Sequence, residues 1–371
     1  MFTKPIPARM NPPGNQIARE LEARGWTQKD LADIMGRPVQ VINEIIKGTK
    51  QITVETAMEL AATFGNEPET WIKLETQYRL FLARGSKEAK ENAGISLRSK
   101  IYDKVPLPEL IKRKWISTKG NLRSHLPELE EAVCRFLGID TIDEMPHVPA
   151  MRHTLTKDQN GMALLAWMRR AEALAGTQNP AMPFERKKIP ALIDALLPLT
   201  AAPASVSKVR DVLLSFGIRF VIVPHLSKTY LDGAVFYLDT ETRKNPVVAI
   251  TMRYDRVDWF WFTLFHELAH LFKNHYPEGV LDDERISEND KANEEEADSL
   301  AKEWLIPESA YAPFSGKHFV SLPDVKALAL CLRRHPGIVL GRFQKEGKIS
   351  YSRHRSLLVR VKIYLEEFID R

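Results

Sequence analysis

The sequence predicts a mostly helical α+β chain, with an all-α amino-terminal domain, a helical connector, and a carboxy-terminal domain whose small sheet packs on one long helix. Three observations carry that prediction. Apolar residues recur at helical spacing through most of the first half, with Gly or Pro at nearly every joint. Short β-branched or aromatic runs bounded by Gly, Pro and Asp appear only within residues 218–252. Directly after them, "WFTLFHELAHLFKNH" sets His266, Glu267 and His270 inside an otherwise apolar helix. The boundaries are placed at 1–84, 85–200 and 201–371.

In the first domain, "NQIARELEARG" is a helix stopped by Gly25, and "TQKDLADIMG" runs from a Thr27 cap to Gly36. "PVQVINEIIKG" begins at Pro38 and ends at Gly48, "TVETAMELAATFG" runs from Thr53 to Gly65, and "PETWIKLETQYRLFLAR" follows. Five short helices punctuated this way have the layout of a helix-turn-helix domain, whose second helix can enter a major groove. Residues 106–200 continue the helical patterning around Leu107–Trp115, Leu126–Leu137 and Gly161–Leu174, without a motif that carries chemistry. In the third domain "SKVRDVLLSFG" is a helix, and "IRFVIVP", "GAVFYLD" and "PVVAITM" are strands. Two long helices close the pattern, separated by an acidic loop. The basic stretch from Leu328 to Arg355 is expected to be a packing helix with a wet face.

With 371 residues, 27% charged and 44% hydrophobic, the chain is of ordinary globular composition and long enough for two or three domains. A net charge of +5 and a pI near 9.0 permit a polyanionic partner. The two cysteines, Cys134 and Cys331, are too few for a disulfide framework or a cysteine zinc site and are expected to be buried thiols. The beginning has no apolar leader, and Val257–Phe272 is too short and too interrupted to span a bilayer. The expected setting is cytoplasmic, with no membrane partner.

Residues four apart on a helix share a face, so His266 and His270 can point at one spot with Glu267 beside them. Imidazole pairs at this spacing bind Zn²⁺, and the neighbouring glutamate serves as general base toward a water. A third ligand is needed. The pattern H-E-x-x-H-x-x-G-x-x-H fails, because Lys273 and Tyr276 occupy its last two fixed places and His275 is one residue out of register. The following helix, "NEEEADSLAKEWLIP", offers Glu294 with Asp298 four residues on. That pairing assigns Glu294 as ligand and Asp298 as the acid that holds a ligand histidine by its other nitrogen. Glu295 falls on the solvent side, and Glu296 stays open as a rival to Glu294. An extended substrate would add a strand to "PVVAITM" or "GAVFYLD". For oxyanion stabilisation the candidates are His225, Tyr237, His275 and Tyr311.

"FWFTLFHELAHLFKNH" followed by "EEEADSLAKEWLIP" resembles the ImmA/IrrE family of zinc metallopeptidases, from about Ser205 to the carboxy terminus. Leu300 and Trp304 replace usual core residues, and no ligand position is lost. The resemblance implies a zincin-like (gluzincin) domain and an endopeptidase that cuts regulatory proteins, often transcriptional repressors, in control of stress or mobile-element genes. Residues 10–84 are similar to HigA-type antitoxins of the Xre class. There Arg37-Pro38-Val39 stands where a Ser/Arg-rich start to the recognition helix is usual. Gln40 and Asn43 remain for base edges, with Arg37, Lys47 and Lys50 for phosphates. Operator DNA is the expected partner, and a homodimer would match two half-sites. The alternative is an antitoxin-like regulator whose peptidase fold senses a ligand without cutting.

Overall fold

The computed structural model describes residues 10–84, 87–117, 126–143, 161–239, 241–275, 288–317 and 319–370. Two compact units divide the chain, Met1–Ser99 and Lys100–Arg371. The stretch expected as a connector therefore contributes its residues from Lys100 onward to the second unit.

The first unit contains α1 (Gly14–Arg24), α2 (Gln28–Met35), α3 (Val39–Ile46), α4 (Val54–Phe64) and α5 (Pro68–Arg84), and α6 (Lys87–Lys104) starts within it. Thr27 and Asp30 form a reciprocal capping box at the start of α2, and Gly36 closes that helix at φ 61°, where a side chain would be strained. Pro38 sits outside α3 as its cap residue rather than inside its first turn. Ile17, Leu31, Ile42, Ile45, Leu60 and Trp71 interlock as one core. At Gly14 an added Cβ would lie 2.0 Å from the Ile46 carbonyl oxygen, so only glycine lets α1 approach the end of α3.

The second unit continues with α7 (Leu107–Lys112), α8 (Leu126–Leu137), α9 (Gly161–Gly176), α10 (Ile189–Leu196) and α11 (Val209–Ser215). Next come β1 (Arg219–Ile222), β2 (Gly233–Tyr237), β3 (Pro246–Ile250), α12 (Val257–Lys273), α13 (Glu288–Leu305), α14 (Glu308–Ser315), α15 (Leu322–Leu332) and α16 (Pro336–Lys345). The sheet order is β1-β3-β2, with β1 parallel and β2 antiparallel to β3. β3 is therefore paired on both sides, which removes "PVVAITM" as a strand that a peptide could join. The outer side of β1 is also occupied. Gln178 exchanges two hydrogen bonds with the Phe220 backbone at 2.7 and 3.0 Å, and Ile369 bridges Ile222. Among the described residues no strand or β-bridge pairs with the outer side of β2.

One face of the sheet, with Phe220, Ile222, Val235, Val248 and Ile250, packs on Phe260, Trp261, Leu264, Phe265 and Leu268 of α12. These α12 residues are essentially inaccessible, whereas Trp259 and Phe262 are half-buried and line a cleft. The reason is helical phase: they project from the flank of α12 that turns away from the sheet. Cys134 is buried as expected, but Cys331 is exposed, since α15 buries Val325, Leu328 and Ala329 on its other face.

Asp370, with a side chain 4% exposed, accepts from Arg170 at 2.6 and 2.9 Å and from the Trp115 indole at 2.8 Å. Removing the carboxylate leaves a guanidinium and an indole N–H without partners. Asp370→Ala is expected to cost about 1–3 kcal/mol of unfolding free energy in the second unit, read by urea denaturation.

Candidate metal centre and cleft

α12 brings His266 and His270 onto one flank and α13 brings Glu294 opposite them. His266 Nε2 and His270 Nε2 stand 3.0 Å apart. Each lies 3.2 Å from a different oxygen of Glu294. Four ligands placed tetrahedrally around zinc at about 2.0–2.1 Å lie about 3.3 Å from one another. Both histidine–carboxylate contacts and the spacing of the two imidazoles are close to that edge length, with the Glu294 carboxylate straddling the pair, and one ligand atom from each residue lies within 4.8 Å of the others. Two imidazoles and a carboxylate converging on one point are a donor set that fits a divalent ion.

Hydrogen bonds around the triangle fix the rings. His266 Nδ1 lies 2.9 Å from Asp298 Oδ1. A carboxylate can only accept, so Nδ1 carries a proton and Nε2 is the nitrogen turned to the centre. Burial pulls the His266 imidazole down, but its bonds to Asp298 and Glu294 outweigh this and raise it to about 10. His270 is lowered, chiefly by burial. Burial would raise Glu294, yet hydrogen bonds from the two histidines hold it far below the usual carboxylate range. Glu296, the rival, faces elsewhere: it binds Lys273 at 2.5 Å and His275 at 2.8 Å. Glu295 is exposed on the outer side of α13.

Glu267 is only 7% exposed, and burial pushes its carboxyl up to about 7. It lies directly under the start of β2, where a Cβ on Gly233 would sit 2.7 Å from Glu267 Oε1 and 2.8 Å from Thr263. A cavity of about 380 Å³ opens at this point, bordered by Tyr230–Val235 along β2, by Glu267 and the three donors, and by Lys302, Lys345 and Tyr351 farther out. Asp232 joins it from the strand side, its carboxyl raised chiefly by burial.

Two family models match this architecture. A helix-turn-helix model covers residues 17–72, and the model described as an IrrE N-terminal-like domain, a peptidase family, covers residues 221–328. The second span contains Gly233, Glu267, the three donors and Asp298. This chain belongs to the helix-turn-helix family and carries an IrrE N-terminal-like domain. Virulence-associated protein I of Dichelobacter nodosus is 31% identical over 78 residues, 21% of this chain and 72% of that protein. A solved addiction module antidote protein of a HigA family from Coxiella burnetii is 30% identical. It covers 23% of this chain and 94% of its own, with a TM-score of 0.22.

In the IrrE-like domain, three of the four expected oxyanion candidates stand away from the cleft. Tyr237 is buried in the core under the sheet, and Tyr311 is hydrogen-bonded to Glu346 beneath the Arg342 guanidinium. His225 lies outside the cavity lining, lowered chiefly by burial. His275 does line the cavity, though both its ring nitrogens are engaged. Tyr230 and Tyr351 line it too, and sequence pattern did not single them out. Gly233 and Asp232 were also passed over, although an Asp-Gly pair at a strand start signals close backbone approach.

In the helix-turn-helix domain, Gln40, Lys47 and Lys50 are exposed and Asn43 is half-buried on or just after α3. Gln40 bonds Glu44 at 3.2 Å. Arg37 is gripped by both oxygens of Glu59 on α4 at 2.5 and 3.0 Å, so its guanidinium braces the helix pair. No described helix is long and apolar enough to cross a membrane.

Proposed function

We propose that this protein is a zinc-dependent endopeptidase joined to a DNA-binding transcriptional regulator, and that it cleaves a repressor-type regulatory protein in the cytoplasm. The observation that carries this reading is the triangle of His266, His270 and Glu294 with Glu267 buried beside it at the open edge of β2. A bound Zn²⁺ would supply Lewis acidity at the meeting point of those three donors. The remaining work falls to side chains and backbone. An extended substrate pairs with the free edge of β2, whose N–H and C=O groups fix its register. Gly233 lets the substrate and Glu267 approach each other. Glu267 accepts a proton from the water that attacks the scissile carbonyl and returns it to the leaving amine. Asp298 keeps His266 oriented throughout.

The test is zinc-dependent cleavage of a diverse peptide library by the full-length protein, read by mass spectrometry. Cleavage that disappears with a chelator and returns with zinc is expected. Binding of peptides without any cut would instead leave a sensing role for the domain.

On the regulator side we propose that Lys47 and Lys50 contact phosphates and that Gln40 and Asn43 face base edges, as a homodimer on paired half-sites. Arg37 acts there through Glu59. Replacing Lys47 and Lys50 together by alanine is expected to flatten the slope of log affinity against log salt by about 2, one per lost phosphate contact. Fluorescence anisotropy with a labelled duplex at several salt concentrations measures it, and an unchanged slope removes both lysines from the interface.

A further inference from the structure

The acid that is not a ligand, Glu296, and the histidine that missed the metal register, His275, meet each other behind His270. α12 ends at Asn274, which takes the left-handed conformation at φ 59° and is held by Arg186 at 2.6 Å. That reversal turns the chain back, so the His275 backbone N–H reaches the His270 carbonyl at 3.1 Å. The two imidazoles stand nearly edge to face, 5.3 Å between centres, and their Nδ1 atoms are 3.2 Å apart. On the far side of the ring, His275 Nε2 lies 2.8 Å from Glu296 Oε2, and Lys273 holds the other oxygen of that carboxylate.

Proton accounting then has one solution for neutral rings. Two facing Nδ1 atoms share one proton. Glu296 can only accept, so His275 carries its proton on Nε2 and its Nδ1 is bare. His270 must therefore be the donor through Nδ1, which leaves its Nε2 bare and aimed at His266 and Glu294. Asp298 achieves the same for His266 in a single step, whereas His270 is reached through an intervening imidazole. Both acids sit two residues apart on α13, the helix that also bears Glu294.

We propose that His275 and Glu296 are positioning residues, a relay that fixes the tautomer and orientation of His270 and so completes the metal-binding triangle. This rests on the zinc reading above. It also accounts for why His275 is no oxyanion donor: both its nitrogens are spent. Outer partners of ligand histidines typically change metal affinity by about tenfold to a hundredfold.

The test uses the full-length protein and zinc alone, with affinity measured by competition against a chromogenic chelator. His275→Ala should bind zinc about tenfold to a hundredfold more weakly than wild type. His275→Asn, whose Oδ1 can take the place of the Nδ1 acceptor, should recover most of that loss. Glu296→Gln should weaken zinc in the wild-type background and have no further effect in His275→Asn, where the relay is already cut. Thermal melting of the zinc-free proteins shows whether each variant is folded, and equal melting with unequal affinity is the expected outcome. Equal zinc affinity for wild type and His275→Ala would overturn the relay alone, as would the same Glu296→Gln loss in both backgrounds. A folded wild type that takes up no zinc would overturn the zinc reading and the relay together.

Discussion

Glu267→Gln is expected to keep its zinc and its fold while losing peptide cleavage by about 10²- to 10⁴-fold, the range over which a positioned general base acts. The substitution preserves the shape of the side chain and removes only its ability to take a proton. Glu267 is not among the three converging donors, so zinc content should match wild type. The carboxylate is buried, and exchanging it for a neutral amide removes a desolvation cost, so stability should hold or rise slightly. Parallel measurement of zinc content, melting temperature and cleavage rate separates these effects. A variant that cuts as fast as wild type would show that some other group moves the proton.

The second large effect is expected at Gly233. A methyl group there would occupy space within 3.1 Å of two Glu267 atoms and 2.8 Å of Thr263, so β2 and α12 could not keep their spacing. Gly233→Ala should therefore displace Glu267 by a fraction of an ångström to an ångström and cost about 10²-fold in cleavage. The overpacking itself should lower stability by about 1–3 kcal/mol. Zinc content should survive, because the atoms nearest that methyl belong to Glu267 and Thr263 and none to the three donors. Kinetics beside chemical denaturation check the split. Normal cleavage in Gly233→Ala would mean that the close approach of strand and helix is not needed for chemistry.

Much of this site was legible in the sequence because helix geometry is local. His266, Glu267 and His270 lie within five residues, so their common flank follows from 3.6 residues per turn alone. Glu294 and Asp298 obey the same rule on their own helix, and the geometry brings Glu294, not Glu296, to the histidines. The five amino-terminal helices were equally readable, since Thr27, Thr53, Gly25, Gly36 and Gly65 mark their ends by side-chain caps and left-handed turns.

What could not be read depends on partners distant in sequence. The place of β3 at the centre of the sheet follows from strand order, which a run such as "PVVAITM" does not encode. The burial of Asp370 against Arg170 joins positions 200 residues apart. On a straight helix His275 falls out of register; the left-handed turn at Asn274 redirects it toward His270. Trp259 and Phe262 look like core by composition, yet they border the cleft because the sheet covers only part of the α12 surface. Arg37 is suited to phosphate by charge, but Glu59, placed by the packing of α4, holds it.

The most direct measurement is the zinc content of purified full-length protein beside that of His270→Ala, by elemental analysis after gel filtration in zinc-free buffer. One equivalent in the wild type and a small fraction of one in the variant is the expected result. Equal metal in both, or none in a folded wild type, would contradict the assignment of His266, His270 and Glu294 as the centre of this molecule.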